Sequence, residues 1–480
     1  MTEPTPLQTS NLSTDPVPAS TVTLGELERE MPGGIASGGH DPYLSLRVPA
    51  FRRYLFGSTL LLFGQQMQTA AVAWEVTVRT GEAHAARALM WVGLVGALPV
   101  ILLALPAGQL ADKVDRKWLT LGMALASAAC SVGLTLLSAY QAPLWTMYAV
   151  LLAAATVWAV GGPARGSLLP GIVPREAFTN ATTWSSSCIQ LACMVGPAIA
   201  GGVIAVAARH AKDFADVREQ VRGVPLVYAV DAACGLAFAA LLVGVIVRPP
   251  EQRKEPASLA TLLAGCRFVW ENQIILATMT LDLFAVLLGG AVYLLPVYSV
   301  SVLHVGAVGF GCMRAAPALG AMTMAVLLAH LPPMQRAGRS LLLAVAGFGV
   351  ATIVFGVSKW LPLSLAMLFL TGALDNISVV VRWTLVQVLT PDAMRGRVMA
   401  VNNVFIGSSN ELGGAESGLL ASWVGPFWSV VGGGIGTLLV VAATAIVWPQ
   451  VRRFGSLQDA RPAEAAEPAG FPVAVGDAEA

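Results

Sequence analysis

Long apolar runs recur along the chain, separated by short polar turns. Twelve are readable, at about 54–78, 88–110, 118–139, 144–164, 182–207, 225–247, 274–302, 309–331, 341–358, 361–381, 398–424 and 427–448. Each is close to the roughly 20 residues that carry an α-helix across a hydrocarbon core. The predicted fold class is an all-α membrane protein with twelve transmembrane helices. The connection 248–273 is the longest on its side. It opens Arg248-Pro249-Pro250-Glu251, then reads as a short amphipathic helix from Ser258, a good N-cap residue, through Phe268 and Trp270. This linker divides the runs six and six and is expected to lie along the membrane surface. Two six-helix bundles follow, over 51–247 and 274–449. Residues 1–42 and 455–480 are rich in Pro, Ser, Thr and Gly, or in Ala, Pro and Glu, and read as disordered tails. The first tail lacks the 7–15-residue apolar core of a signal peptide.

Composition sharpens this picture. Only 12% of the 480 residues are charged and 56% are hydrophobic, against about 25% charged in soluble domains. An ordinary soluble enzyme and a disordered scaffold are both excluded. A net charge of +1 gives no basic field for nucleic acid. The six cysteines form no C-x-x-C pair and the five histidines have no ligand spacing, so no metal site is expected. The Ser185-Ser186-Ser187 stretch has no histidine in any span centre to activate it, which argues against an intramembrane hydrolase. The chain has no Gly-Lys dipeptide, hence no P-loop for ATP. With the N-terminus inside, 21 of the 29 Lys and Arg residues fall in inner segments and 7 in outer loops. Arg382 is counted inside, and Arg314 lies within a span. This bias predicts cytoplasmic termini.

The turn after the second run reads Gly108-Gln109-Leu110-Ala111-Asp112-Lys113-Val114-Asp115-Arg116-Lys117. It resembles the signature loop of the major facilitator superfamily, with Asp115 where that loop has its second glycine. Gly108 permits close helix approach, Asp112 can face a helix N-terminus, and Arg116 and Lys117 hold the loop at the cytoplasmic side. Further blocks are Phe51-Arg52-Arg53-Tyr54, Leu295-Pro296-Val297-Tyr298, Arg314-Ala315-Ala316-Pro317, Arg395-Gly396-Arg397-Val398, Ser408-Ser409-Asn410-Glu411-Leu412-Gly413 and Glu416-Ser417-Gly418. Together they resemble the bacterial branch that holds the enterobactin exporter and macrolide efflux proteins. The resemblance implies alternating access, proton-driven export of small amphipathic molecules, no cofactor beyond the proton gradient, a bacterial plasma (inner) membrane location and a monomer. It also implies a partner for Asp112 at Arg397-Val398. Gly196, Pro197, Gly201 and Gly202 are similar to the glycine–proline motif of antiporters, with one residue extra in the spacing. Span four lacks the arginine that proton–drug antiporters often place there. A dedicated siderophore exporter, an importer and a non-transporting sensor stay open as alternatives.

Ionisable residues inside spans are costly and default to functional candidates. They are Glu75, Asp231, Asp282, Arg314, Asp375, Glu411 and Glu416. Gln65, Gln68 and Glu75 fall within about 80° of arc on one helix, a polar stripe expected to line a cavity; Glu75 is also placed to snorkel to the outer surface. Asp282 and Asp375 are expected in the inner third of their spans. Asp375 shares a helical face with Arg382, as a latch or a proton site. Asp282, Asp375, Glu411 and Glu416 are the proton-coupling candidates, because a carrier must meet water alternately from both sides.

Overall fold

The structure is a computed structural model. It describes residues 43–208, 217–247, 259–331, 334–455, and some side chains within that range remain undescribed. The two tails up to residue 42 and from 456, the loop 209–216 and the linker segment 248–258 lie outside the described residues. Among these, every regular element is helical. The long helices are α1 Pro49–Thr80, α2 Glu82–Lys113, α3 Arg116–Ala139, α4 Leu144–Gly166, α5 Phe178–Ala207 and α6 Val224–Val243. After the linker helix Leu259–Glu271 come α7 Gln273–Ser301, α8 Gly306–His330, α9 Ala337–Val357, α10 Leu361–Leu389, α11 Asp392–Val424 and α12 Pro426–Val447.

Ten of these are long and apolar enough to cross a membrane. The other two, α1 and α11, are 32 and 33 residues long but carry glutamines, asparagines, serines and acids that dilute their apolarity. Both pack among the ten, and counting them as spans gives the expected twelve. α7 departs from the expected continuous run. It breaks after Leu288, passes through a 3-10 turn at Ala291–Leu294, and resumes at Leu295–Ser301.

Local chemistry sets the ends. Pro49, Pro225, Pro362 and Pro426 occupy first-turn positions of α1, α6, α10 and α12, where a missing N–H costs nothing. Asp115 caps α3, its Oδ1 accepting from the N–H groups of Lys117 and Trp118. Asn272 caps α7 through Ile275 N–H. Among the turns with a positive φ are those at Gly81 between α1 and α2, at 69°, and at Gly306 between α7 and α8, at 64°. Glycine meets that demand without a Cβ penalty, and the two occupy equivalent places in the two halves.

The packing repeats. In the first half α1 packs on α5 and α6, α2 on α4, and α3 on α4 and α6; in the second, α7 packs on α11 and α12, α8 on α10, and α9 on α10 and α12. Adding six to each helix number carries one pattern onto the other. The bundles meet through α2 with α11 and α5 with α8, two contacts that the same operation exchanges. The linker helix lies on α11, where Gly265 approaches the backbone of Arg397.

The two ends of the molecule differ. At the end opposite the linker, one apolar core includes Trp74, Leu89, Leu134 and Tyr228 of the first bundle and Tyr298, Phe310, Phe355 and Val430 of the second. Trp74 of α1 stacks on Phe310 of α8 with ring centroids 5.8 Å apart. At the linker end the core splits. One part, with Phe51, Leu61 and Phe238, belongs to the first bundle, and the other, with Ile275, Leu341 and Leu385, to the second. Among the described residues, an apolar core joins the bundles at the far end and none does at the linker end.

Candidate functional site

The signature-loop region is assembled from helix ends. Each helix leaves carbonyls without intrahelical partners at its C-terminus, and that end carries partial negative charge. Lys117 Nζ donates to Val243 O at 2.9 Å and Arg53 to Gly244 O at 3.1 Å, closing the end of α6. Arg116 reaches Ser167 O at 3.5 Å and Tyr54 donates to Arg165 O at 3.0 Å, closing the end of α4. The basic residues of the motif therefore tie α3 to two neighbours. The side chains of Gly108 and Asp112 are not among those described. α11 begins at Asp392, earlier than the run at 398 suggested, so Arg397 sits in its second turn.

The glycine–proline motif packs in two directions. Gly196 faces α1, where a Cβ would come within 2.8 Å of Gln66 Cβ. Gly201 faces α8 against Ala307 O and Gly311, and a Cβ on Gly311 would stand 2.8 Å from Pro197 O. Gly202 meets open space. The α2–α11 contact is equally close: a Cβ on Gly93 would lie 2.7 Å from Ala415 N, and one on Gly418 2.7 Å from Met90 N. Small residues let helix backbones approach in this way.

The polar stripe of α1 turns inward on its own bundle. Glu75 is fully buried. Its carboxylate accepts from Ser138 of α3 at 2.8 Å, from Tyr228 of α6 at 2.9 Å, and from Arg79 at 3.2 Å. Arg79 also donates to Ala142 O. Glu75 thus neither lines a central cavity nor snorkels; it is the hub of an internal ion pair. Gln68 donates to Ser131 of α3, which contacts Asp231 of α6. Gln65 is half-buried.

In the second bundle the expected Asp375–Arg382 pairing gives way to another. Arg382 pairs with Asp282 of α7. The reason is that α10 runs to Leu389, two turns past the predicted end, so Arg382 is a buried helix residue rather than part of an inner loop. The same extension puts Asp375 at the middle of α10 instead of its inner third. Asp282 does lie in the linker-end third of α7. Asp375 is half-buried, on the Arg382 face, about 10 Å along the axis. Neither a hydrogen bond nor an ion pair of Asp375 occurs among the described residues. Glu416 is half-buried near the far end of α11 and accepts from its neighbour Ser417 at 3.4 Å. The Glu411 side chain is not among those described.

Three features escaped sequence reasoning. One is the Ser131–Asp231 contact. The second is the pairing of Asp282 with Arg382. The third is Gln66 donating to Cys193 of α5 at 3.4 Å, near the place where Arg314 of α8 donates to Val292 O in the α7 break. Among the described residues no group of His, Cys, Asp and Glu could hold a metal ion. The two best-formed cavities lie away from these charges. One, of about 240 Å³, sits at the far end among Thr77, Gly81, Glu82 and Val297. The other, of about 430 Å³, is apolar and lies between α3 and α4, among Trp118, Met123 and Val160.

Two related six-helix bundles with charges buried between their helices define a multi-pass membrane protein built to transport. Residues 54–414 match the Major Facilitator Superfamily, and the chain belongs to that family. The enterobactin exporter EntS of Citrobacter koseri is 25% identical over 359 residues, covering 72% of this chain and 80% of that one. Among solved structures, a bacterial homologue of the human lysosomal transporter Spinster, in an inward-facing and occupied conformation, is 16% identical with a TM-score of 0.64. The match covers 86% of this chain and 99% of that one. A D-xylose–proton symporter is 14% identical with a TM-score of 0.65, covering 86% and 100%. At these identities the structural likeness is one of fold.

Proposed function

We propose that the protein is a secondary exporter of small amphipathic molecules, driven by proton antiport through alternating access. In this reading the linker end is cytoplasmic, both termini lie inside a bacterial plasma membrane, the chain works as a monomer and ATP takes no part. The 21-to-7 distribution of basic residues supports the orientation. A cysteine probe at Ala211 should then react with an impermeant reagent outside intact cells, and one at Ser258 should not.

The observation that carries the coupling mechanism is a single arginine for two carboxyls. Arg382 pairs with Asp282, while Asp375, on the same face of α10, has no partner. An uncompensated charge inside a membrane protein is expensive, so one proton and one arginine together neutralise this set. The proton enters from the far side when that end is open and leaves to the cytoplasm when the linker end is open. Asp375 at mid-helix and Asp282 nearer the linker end provide the change of depth; Glu411 and Glu416 are the further candidates.

Everted vesicles with an imposed pH gradient test the idea. Asp375→Asn and Asp282→Asn should abolish uphill efflux while substrate still binds. Efflux that continues after the gradient is collapsed, or after all four second-bundle acids are neutralised, defeats the mechanism. A narrower reading, a dedicated siderophore exporter, draws on the relatives named as enterobactin exporters. Retention of siderophore by a deletion strain, with unchanged drug sensitivity, would favour it.

A further inference from the structure

We propose that Asp231 is a proton-binding site of the first bundle, its neutral carboxyl donating a hydrogen bond to Ser131. This goes beyond the second-bundle acids and does not depend on them.

The inference rests on counting hydrogens. Three polar atoms surround Ser131 Oγ: Gln68 Nε2 at 3.0 Å, Ser127 O at 3.0 Å and Asp231 Oδ2 at 2.6 Å. Ser131 is fully buried and Asp231 is 5% exposed. The Gln68 nitrogen can only donate. A serine hydroxyl has one hydrogen to give, so it serves either Ser127 O or Asp231. Both contacts are hydrogen bonds only when Asp231 brings a hydrogen of its own. The 2.6 Å separation fits an O–H···O bond. Ser131 then accepts two hydrogens and donates one.

The surroundings support a neutral group. On α1, Gly64 makes room for the carboxyl, since a Cβ there would stand 2.5 Å from Asp231 Oδ1. α1 also offers Gln68, and α3 offers Ser131 with Cys130 beside it. On α6 the titratable neighbours are Cys234 and Tyr228. α5 carries no charged residue. The nearest cation on α1 towards the far end, Arg79, is eleven residues past Gln68, about 16 Å along the helix, and is bound to Glu75. Glu75 is the internal contrast. It lies seven residues beyond Gln68, and its partner Ser138 lies seven beyond Ser131. It receives three donors including a guanidinium, so it needs no proton. Asp231 receives no cation, and a proton supplies its missing positive charge. Loss of that proton would leave one hydrogen for two acceptors and an unpaired charge among three helices. Protonation therefore favours the packed arrangement of α1, α3 and α6.

Infrared spectroscopy of the full-length protein in lipid nanodiscs at neutral pH, with sodium absent, reads the site without any transport assay. The wild-type minus Asp231→Asn difference should show loss of one protonated-carboxyl C=O band. Ser131→Ala should move that band to higher frequency without removing it. Asp231→Glu, which keeps the carboxyl, serves if the amide variant fails to accumulate; the band should then shift. A difference spectrum that instead loses ionised-carboxylate bands overturns the proposal. Failure of the second-bundle coupling mechanism would appear in the vesicle efflux experiment and leave these spectra unchanged.

Discussion

The two bundles share a packing pattern but treat their buried polar groups differently. In the first, the two buried carboxyls are both answered. Glu75 has Ser138, Tyr228 and Arg79, and Asp231 has Ser131, which Gln68 holds in turn. In the second, Arg382 meets Asp282, yet its Nε has no hydrogen-bond partner, and neither do Asn376 Oδ1, Thr352 Oγ1 or Thr390 Oγ1. Asp375 stands alone two turns from that pair. Arg382 Nη1 being held by Asp282, five buried polar atoms are left unpaired among the described residues; four are in the second bundle and one, Arg165 Nε, is in the first. A completed buried network specifies one arrangement, whereas an incomplete one leaves groups that can be satisfied in another. In the coupling mechanism proposed above, the Glu75 network of the first bundle would serve as scaffold and the second bundle as switch.

The largest effect should come from Arg382. Arg382→Gln leaves two second-bundle carboxyls with no cation, and breaking a buried pair from one side costs about 3–5 kcal/mol. Uphill efflux should vanish. Asp282→Asn combined with Arg382→Gln should recover thermal stability but not coupling. Recovery of both would make the pair structural and erase the contrast between the bundles.

The matching experiment in the first bundle should end differently. Glu75→Gln strands Arg79, whose side chain is 11% exposed. The expected loss is again about 3–5 kcal/mol, seen as a lower unfolding temperature in detergent. Here the double variant Glu75→Gln with Arg79→Gln should restore both stability and uphill efflux. If the double variant is stable yet uncoupled, the first bundle is no mere scaffold.

A smaller effect is expected where the bundles touch. Gly201 packs on the α8 backbone at Ala307 and Gly311. Gly201→Val inserts side-chain atoms there, at a cost of about 1–3 kcal/mol for overpacking. That cost falls only on the conformation closed at the far end. Spin-label distances across the far end should lengthen, and the population open at the linker end should fall. Unchanged distances would show that this glycine contact does not report on closure.

How much of this was legible in the sequence depends on whether a feature lies along one helix or between two. The spans, the six-and-six division and the amphipathic linker come from hydropathy along the chain, and ten of the twelve spans are helices long and apolar enough to cross a membrane. The stripe of Gln68 and Glu75 was visible from 100° arithmetic on α1. Its direction was not, because periodicity gives a face but not the neighbour that the face meets. A signal did exist: Ser131 and Ser138 repeat the seven-residue spacing of Gln68 and Glu75 on a helix that otherwise reads as apolar. Arg382 was misplaced for a simpler reason. The apolar run ends near 381, but the helix continues to Leu389 because its charge is answered by Asp282, a hundred residues earlier. The break in α7 had a cue in Gly289-Gly290 followed by Pro296. Gly290 packs closely on α11, where a Cβ would run into Ser417, while Gly289 faces Phe348 of α9.

The smallest effect concerns the linker end. A conformation closed at the linker end needs contacts that the separate cores do not make, and Asp112 is the expected contributor. α11 begins at Asp392, so its free N–H groups belong to the turn from Asp392 onward rather than to Arg397-Val398. A carboxylate set against such a terminus contributes about 0.3–2 kcal/mol. Asp112→Ala should therefore shift the balance between the two conformations by roughly 2- to 30-fold towards the linker-open one. Cycling should slow while the amount of protein in the membrane stays normal. Double electron–electron resonance between labels near the starts of α3 and α9 would read the shift directly, as a larger fraction of long distances. A normally expressed variant with wild-type distances and wild-type efflux would remove Asp112 from the latch.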